Sequence, residues 1–251
     1  MSRFIYDEVD VKGLKIINPL DFIIQRNNNH EYTTHDIVKI VSDLATRKFE
    51  KGKVERNFNQ IAIAVLRQCK IVTPKNTFNI REFEIYFYDE YLHPDPYADR
   101  DKRQLTFGEW NFQYFTDLET FLKSNENGIE ITFGNEEKEI YGGLLLKTIE
   151  NIKTGKLIVN KNNVVRELIE NIGKDNVHNI AFGRGQFAFD QQQALHLEVS
   201  NANFSKSIFK KQREGLEFRD QEKANQFYKA SYCYFNHDLN TTSIIEVRSG
   251  I

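Results

Sequence analysis

The chain has 251 residues, of which 40% are hydrophobic and 28% charged, and its formal net charge is −2. This composition predicts a folded protein and excludes intrinsic disorder. No apolar run approaches the roughly 20 residues that a membrane-spanning helix requires, so no membrane partner is expected. The slightly acidic balance disfavours a general nucleic-acid coat protein, which would be basic overall, but it leaves room for a local basic surface.

The two cysteines and the start of the chain bear on the cellular compartment. Cys69 and Cys233 do not have the spacing of metal ligands, and residues 1–10 contain no apolar signal segment. We therefore expect reduced thiols, a cytoplasmic location and no zinc site built on cysteine.

Residues 1–75 predict two helices. The first begins near Asp36, with Thr33 or Thr34 as its cap, and its apolar residues recur at helical spacing. The second covers Phe58–Arg67 and has one apolar face. Because neither helix carries a motif with a chemical role, both are expected to serve as scaffold.

Residues 81–102 combine acidic and aromatic side chains more densely than any other part of the chain. Residues 81–88 alternate with period two, which is typical of a strand. One face holds Phe83, Ile85 and Phe87, and the other holds Glu82, Glu84, Tyr86 and Tyr88. Carboxylates that are half-buried beside phenol rings tend to have raised pKa values, which makes these glutamates candidates for acid–base chemistry. The loop that follows contains Asp89, Glu90, His93 and Asp95 and is stiffened by Pro94 and Pro96.

The rest of the chain predicts further strands and helices. The expected strands are Trp110–Phe115, Gly128–Gly134, Tyr141–Glu150, Ser231–Phe235 and Ser243–Val247. The other expected elements are a short helix or insertion at Glu119–Asn125, a helix at Asn160–Ile172 that Gly173 ends, a turn or short strand at Phe182–Phe189 and a helix at Asp220–Lys229. No repeat or linker divides the chain. We therefore expect one mixed α+β domain over residues 1–251, a curved antiparallel sheet flanked by helices, with N-terminal helices in 1–75 and a site-bearing core in 80–172.

A characteristic order of motifs runs through residues 80–170. E-x-E-I-Y at Glu82–Tyr86 is followed by D-E-x-x-H at Asp89–His93. The aromatic strand Trp110–Phe115 comes next, then a hairpin that ends in LLLKTIEN at Leu144–Asn151, then the helix Asn160–Ile172. This order resembles the alkyladenine (3-methyladenine) DNA glycosylases of the human type.

The resemblance implies a DNA glycosylase with a single mixed α/β domain. Enzymes of that family flip a modified nucleotide out of the duplex and hydrolyse its N-glycosidic bond with water, without a metal or an organic cofactor. By position, Glu84 matches the family's catalytic glutamate, and Lys147 falls where the family has an arginine that helps to hold the catalytic water. The implied base pocket is formed by Tyr86, His93, Trp110 and Phe112, with Asp95 and Asp99 in the adjoining loop. For the implied positive surface that contacts the DNA backbone, the chain offers Arg100, Lys102, Arg103, Lys210 and Lys211.

Two departures from the family pattern concern the substrate. Lysine at position 147 keeps the positive charge of arginine but not its planar, forked donor geometry. The loop before His93 is shorter, and Pro94-Asp95-Pro96 continues it differently. We therefore expect a modified base other than 3-methyladenine or hypoxanthine, with the loop Asp95–Asp99 as a determinant of its identity. A role in defence against viruses with modified DNA would follow, and a monomer is expected.

The residues alone leave other interpretations open. Glu82 and Glu84 could pair with Arg81, Lys102 or Arg103 on a solvated sheet face. A metal-dependent nuclease could draw oxygen ligands from Glu84, Asp89, Glu90, Asp95 and Asp99, although no PD-(D/E)xK arrangement is present. A third interpretation is a non-catalytic DNA- or protein-binding module on a decayed glycosylase fold. A lyase that uses Lys147 as a Schiff-base amine is a minor variant.

Overall fold

The computed structural model of the protein describes residues 31–48, 53–183, 187–200, 207–217 and 226–236, and the backbone of residues 245–247. These residues form a mixed α+β fold, as the sequence predicts, with eleven strands, five α-helices and one 3-10 helix. None of the described helices is both long enough and apolar enough to cross a membrane.

The elements follow one another along the chain with short connections. The α-helices are α1 (Thr34–Ala45), α2 (Val54–Gln68), α3 (Leu118–Lys123), α4 (Lys161–Ile172) and α5 (Lys174–Phe182), and the 3-10 helix spans Lys102–Leu105. The strands are β1 (Cys69–Val72), β2 (Thr77–Asp89), β3 (His93–Pro94), β4 (Phe107–Gln113), β5 (Gly128–Phe133), β6 (Tyr141–Asn151), β7 (Leu157–Val159), β8 (His196–Val199), β9 (Ile208–Lys211), β10 (Cys233–Phe235) and β11 (Ile245–Val247).

The strands pair into an antiparallel sheet around the long strand β2. The main path runs β11-β9-β10-β2-β6-β5-β4, and β1 joins the beginning of β2 to β8. β5 and β6 form the predicted hairpin. Because β10 pairs with β2 at Glu82–Glu84, the late strands β9 and β10 lie directly beside the acidic part of the central strand.

The two N-terminal helices are confirmed, and both pack on the sheet. Thr33 caps α1 through a capping box with Asp36, so the predicted cap is correct. α2 begins at Val54, earlier than predicted, and its buried face contacts β2. The ring of Phe58 packs edge-on against Phe87, which lies on the predicted apolar face of β2. This packing leaves the opposite, polar face of β2 to other elements.

Two irregularities in the pairing of β2 and β6 determine which side chains reach that polar face. The register changes between Ile80 and Phe83, so Glu82 pairs with Thr148 while Phe83 pairs with Leu146. Lys147 is therefore an extra residue of β6, as in a β-bulge, and bulges often re-aim side chains near functional sites. Both Lys147 and Thr148 contact glutamates of β2.

Several elements depart from the sequence prediction because tertiary pairing creates them. β1, β7, β8 and β9 are three or four residues long, too short to produce a periodic signal. α5 ends within the range predicted as a turn or short strand, and residues 184–186 of that range lie outside the described residues. Residues 220–225 of the predicted helix Asp220–Lys229 also lie outside them, and a helical turn is present at 226–228.

Candidate functional site

The polar side of the sheet carries a cluster of charged side chains, which we call the polar cluster; all are buried except Lys147, which is partly buried. It consists of Glu82, Glu84, Glu130, Lys147, Lys211 and Arg213. Charged side chains are seldom buried unless they are paired, and buried charge concentrated at one place marks a candidate site. The alternative of a solvated sheet face for Glu82 and Glu84 is wrong, because both side chains are buried.

Glu84 lies at the centre of the polar cluster and is only 1% exposed. Its Oε2 accepts a hydrogen bond from the Tyr86 hydroxyl at 2.9 Å, and its Oε1 accepts one from the backbone N–H of Glu214 at 3.0 Å. The Lys147 ammonium lies 3.5 Å from Oε1. The structure thus brings together the two residues that the resemblance implies for catalysis.

Tyr86 and Arg213 form a wall beside Glu84. The Arg213 guanidinium lies 4.7 Å from the centre of the Tyr86 ring and donates to Asp95 at 2.7 Å. Burial, and then the charge of Glu84, raise the pKa of Tyr86, so its hydroxyl keeps the proton that it donates to the carboxylate. Asp95, predicted beside the base pocket, instead supports Arg213 in the interior, where both side chains are 0% exposed.

Glu82 is held by three side chains on the other flank of Glu84. It accepts hydrogen bonds from Thr148 at 2.7 Å and from the Cys233 thiol at 3.3 Å, and Lys211 lies 3.1 Å away. Burial alone would raise the pKa of Glu82, but the Thr148 bond and the Lys211 charge outweigh it and hold the pKa below its ordinary value. Glu82 therefore supports the cluster as an ion-paired side chain.

Glu130 on β5 is completely buried and is held by three amide side chains. Asn111 donates at 2.7 Å, Gln113 at 3.0 Å and Gln104 at 3.1 and 3.2 Å. Burial raises the pKa of Glu130 to about 7, even though the amide hydrogen bonds lower it. Leu145 of β6 lies opposite both Glu130 and Glu84, so the backbones of the two glutamates are about 10 Å apart, two strand spacings.

A cleft of about 530 Å³ opens next to the polar cluster. Its lining residues come from the loop after β3, the segment after β9 and the turn before β5: Pro96, Tyr97, Ala98, Asp99, Arg100, Glu126, Gly215, Leu216 and Glu217. Lys161, the first residue of α4, donates to the Glu126 carbonyl at 3.0 Å. Burial, and then the charge of Lys147, lower the pKa of Lys161.

The structure does not bring Trp110 and Phe112 to the cluster. Both lie on the apolar side of the sheet, where Trp110 is completely buried and Phe112 nearly so. Their predicted role in a base pocket is wrong, because the alternation of β4 turns Asn111 and Gln113, not the aromatic residues, toward Glu130.

His93 is also placed away from Glu84. Its ring lies among Phe58, Phe87, Phe227 and Tyr232. Nδ1 is 2.8 Å from the Phe87 carbonyl and Nε2 is 3.1 Å from the Tyr232 hydroxyl. Burial lowers the pKa of His93, although the charge of Asp95 opposes it. The predicted contact with a base is corrected to a structural role in the aromatic core.

Of the five cations predicted to contact the DNA backbone, two are engaged inside the protein. Arg103 donates to two main-chain carbonyl groups, and Lys211 pairs with two glutamates at 3.1 and 2.6 Å. Lys210 lies 3.9 Å from a glutamate of α2. Arg100 and Lys102 are exposed, so these two match the predicted surface position, and Arg103 and Lys211 do not.

The acidic residues of the alternative nuclease are dispersed. Asp89 is held by Arg47 at 2.5 Å, Asp95 is held by Arg213 at 2.7 Å, and Glu90 is exposed. Over the described ranges, no group of three or more His, Cys, Asp or Glu side chains is placed to hold a metal ion. The ligand set that the nuclease interpretation requires is therefore not assembled by these residues.

Sequence reasoning missed Arg213, Glu130 and Lys161. Arg213 stands in a run of basic residues, a pattern that usually indicates a solvated surface. Glu130 interrupts an apolar strand, GIEITF, and the period-two pattern shows only that it points away from its isoleucine neighbours. Lys161 carried no signal, since only the folded chain brings the start of α4 to the cleft.

Together, the fold and the cluster define a mixed α+β protein with a buried glutamate–lysine contact beside a cleft. No protein-family model matches the chain, and no solved structure matches it. The chain is similar to uncharacterized protein L759 of Acanthamoeba polyphaga mimivirus, with 27% identity over 193 residues. The similarity covers 70% of this chain and 88% of the viral protein.

Proposed function

We propose that the protein is a DNA glycosylase that hydrolyses the N-glycosidic bond of a modified nucleotide and leaves an abasic site, with Glu84 as the catalytic carboxylate. The observation that supports this function is the 3.5 Å contact between Glu84 and Lys147 beside the cleft. The resemblance implies this pair, and the two residues come from different strands. Lys147 is two residues from Leu145, the partner of Glu84, so the alternation of β6 places it on the same face as the carboxylate.

The chemistry requires few groups. Cleavage of an N-glycosidic bond passes through a sugar with oxocarbenium character, and a carboxylate at the anomeric carbon stabilises that positive charge. In this proposal Glu84 also takes a proton from the attacking water. The Lys147 ammonium has three donors, so it can bind the Glu84 oxygen and orient the water at the same time.

The substrate base would stack on Tyr86. One face of the Tyr86 ring is covered by Arg213, so the base would use the other face, and stacking on an aromatic side chain contributes about 1–3 kcal/mol per base. The exposed cations Arg100 and Lys102 would contact the phosphates. Because Glu84 is 1% exposed and its Oε1 already accepts the backbone N–H of Glu214, this proposal requires a movement that exposes the carboxylate to the substrate.

The decisive experiment uses DNA duplexes that each carry a different modified base, with alkali-labile abasic sites as the readout. Wild type is expected to cut at least one of them, in the presence of EDTA as well as without it. Glu84→Gln should reduce the rate by about 10²–10⁴-fold, the usual contribution of an acid–base group. The matched control is Glu90→Gln, which alters an exposed glutamate directly after β2 and should retain activity. Equal cutting by Glu84→Gln and wild type would refute the assignment.

A second candidate is a binding module without catalysis. The observation that favours it is that both Glu84 oxygens already accept hydrogen bonds from the protein, as expected for a structural buried carboxylate. In that case wild type would generate no abasic sites on any duplex, while DNA binding would persist in Glu84→Gln.

A further inference from the structure

Gln104 connects the interior of the sheet with the wall of the cleft. Its Nε2 lies 3.1 and 3.2 Å from the two Glu130 oxygens, and its Oε1 accepts the backbone N–H of Arg100 at 3.1 Å. Arg100 lines the cleft and has a φ of 55°, a conformation that residues other than glycine seldom adopt. Such a conformation persists only when surrounding contacts hold it, and the bond to Gln104 is one of them.

Two glycines make room for this connection. At Gly143 a Cβ atom would overlap with the Glu130 carboxylate, and at Gly134 it would overlap with the main chain of Gln104. Neither glycine has a positive φ, so space rather than backbone freedom explains them. The sheet thus omits two side chains where Gln104 approaches Glu130.

We propose that Glu130 is a positioning residue that sets the conformation of the cleft wall through Gln104, according to whether its carboxyl group carries a proton. The ionised carboxylate accepts N–H groups from Gln104, Asn111 and Gln113. A protonated carboxyl group carries an O–H that needs an acceptor. The neighbouring amide groups present N–H donors to it instead. If Gln104 turns its amide to accept that proton, its NH₂ group faces the N–H of Arg100 and the bond that holds the wall is lost.

The surroundings of Glu130 set the pH range in which the wall would respond. The charges of Asp99 in the cleft wall and of Glu130 act on one another's surroundings, since, in addition to burial, Asp99 raises the pKa of Glu130 and both raise the pKa of Tyr114. Glu84 lies on the far side of β6, and Lys147 lies on β6 itself. Burial is the main cause of the raised pKa, and the charge of Asp99 adds to it. The carboxyl group therefore changes its charge at about pH 7.

The test follows the Arg100 amide by hydrogen exchange, corrected for the intrinsic pH dependence of exchange. Between about pH 5.5 and pH 8.5, protection in wild type should rise about tenfold, the equivalent of one hydrogen bond, with a midpoint near pH 7. Glu130→Gln should abolish the step, whereas Glu119→Gln, which alters an exposed side chain, should retain it. A wild type without the step, or a step that persists in Glu130→Gln, would overturn the proposal.

Gln104→Ala tests the connection itself and is informative even if Glu130→Gln does not fold. It should leave the Arg100 amide unprotected at both pH values. The fluorescence of the single tryptophan, Trp110, which adjoins Asn111, should still titrate near pH 7, because Glu130 is retained. A normal step in Gln104→Ala would show that Gln104 does not transmit the change.

The inference rests on the proposed function only for its consequence at the substrate. If Glu130 positions the wall, the KM for a cleaved duplex should depend on pH near 7 in wild type and not in Glu130→Gln, while kcat changes less. A protein that cuts no duplex but shows the exchange step would refute the proposed function and leave the positioning role intact. A protein that cuts a duplex but shows no exchange step would support the proposed function and refute the positioning role of Glu130.

Discussion

The ion pair of Arg213 and Asp95 is the sharpest test of how the candidate site is held together. Methionine at position 213 would keep an unbranched apolar stem but remove the charge and every donor. It would leave Asp95 buried without its partner, at 0% exposure, and would deprive the carbonyl groups of Ile85 and Phe227 of a donor. Removing one partner of a buried ion pair destabilises a protein by about 3–5 kcal/mol. We expect Arg213→Met to lower the free energy of unfolding by an amount in that range.

Urea denaturation followed by circular dichroism measures this loss. Because an amide is far less costly to bury than an unpaired carboxylate, Arg213→Met combined with Asp95→Asn should recover part of the stability. Lys123→Met is the control, since it removes an exposed ion pair with Glu119 and should change stability by less than about 1 kcal/mol. A loss below about 1 kcal/mol for Arg213→Met, or a double variant no more stable than the single one, would refute the reasoning.

Three further predictions follow from the polar cluster. Burial raises the pKa of Glu130 from 4.5 to about 7. Between pH 4.5 and pH 7 the folded state therefore binds more protons than the unfolded state. The free energy of unfolding should fall by about 3 kcal/mol as pH rises through this range. Denaturation at pH 5 and pH 8 should show that fall in wild type relative to Glu130→Gln; equal changes in both would contradict it. Gly143→Ala should destabilise by about 1–3 kcal/mol through overlap with Glu130, and the shorter side chain of Glu130→Asp should relieve part of that loss in denaturation measurements. In the abasic-site assay, Lys147→Met should lose activity while Lys147→Arg, which retains the charge, should keep more of it.

Long elements with a strong period were predictable from the sequence, and short ones were not. The alternation in β2 and the helical spacing in α1 and α4 record burial along a single element, so residue types alone indicate them. The capping box at Thr33 and the glycine stop at Gly173 are equally local. β8 and β9 contain few residues and become strands because β1 and β10 supply hydrogen-bond partners, which no local pattern records.

The same distinction between local and non-local information explains the outcome at the candidate site. Alternation correctly placed Glu84 and Tyr86 on one face, because both belong to one strand. It could not show which face of β4 lies on the same side of the sheet, since that depends on the register through β5 and β6. The base-pocket role that the resemblance implies for Trp110 and Phe112 is therefore wrong. The bulge at Lys147 is a further change of register that the sequence does not reveal. A pairing error of one residue would turn Lys147 away from Glu84, and the proposed catalytic contact therefore depends on the sheet register as much as on the two side chains.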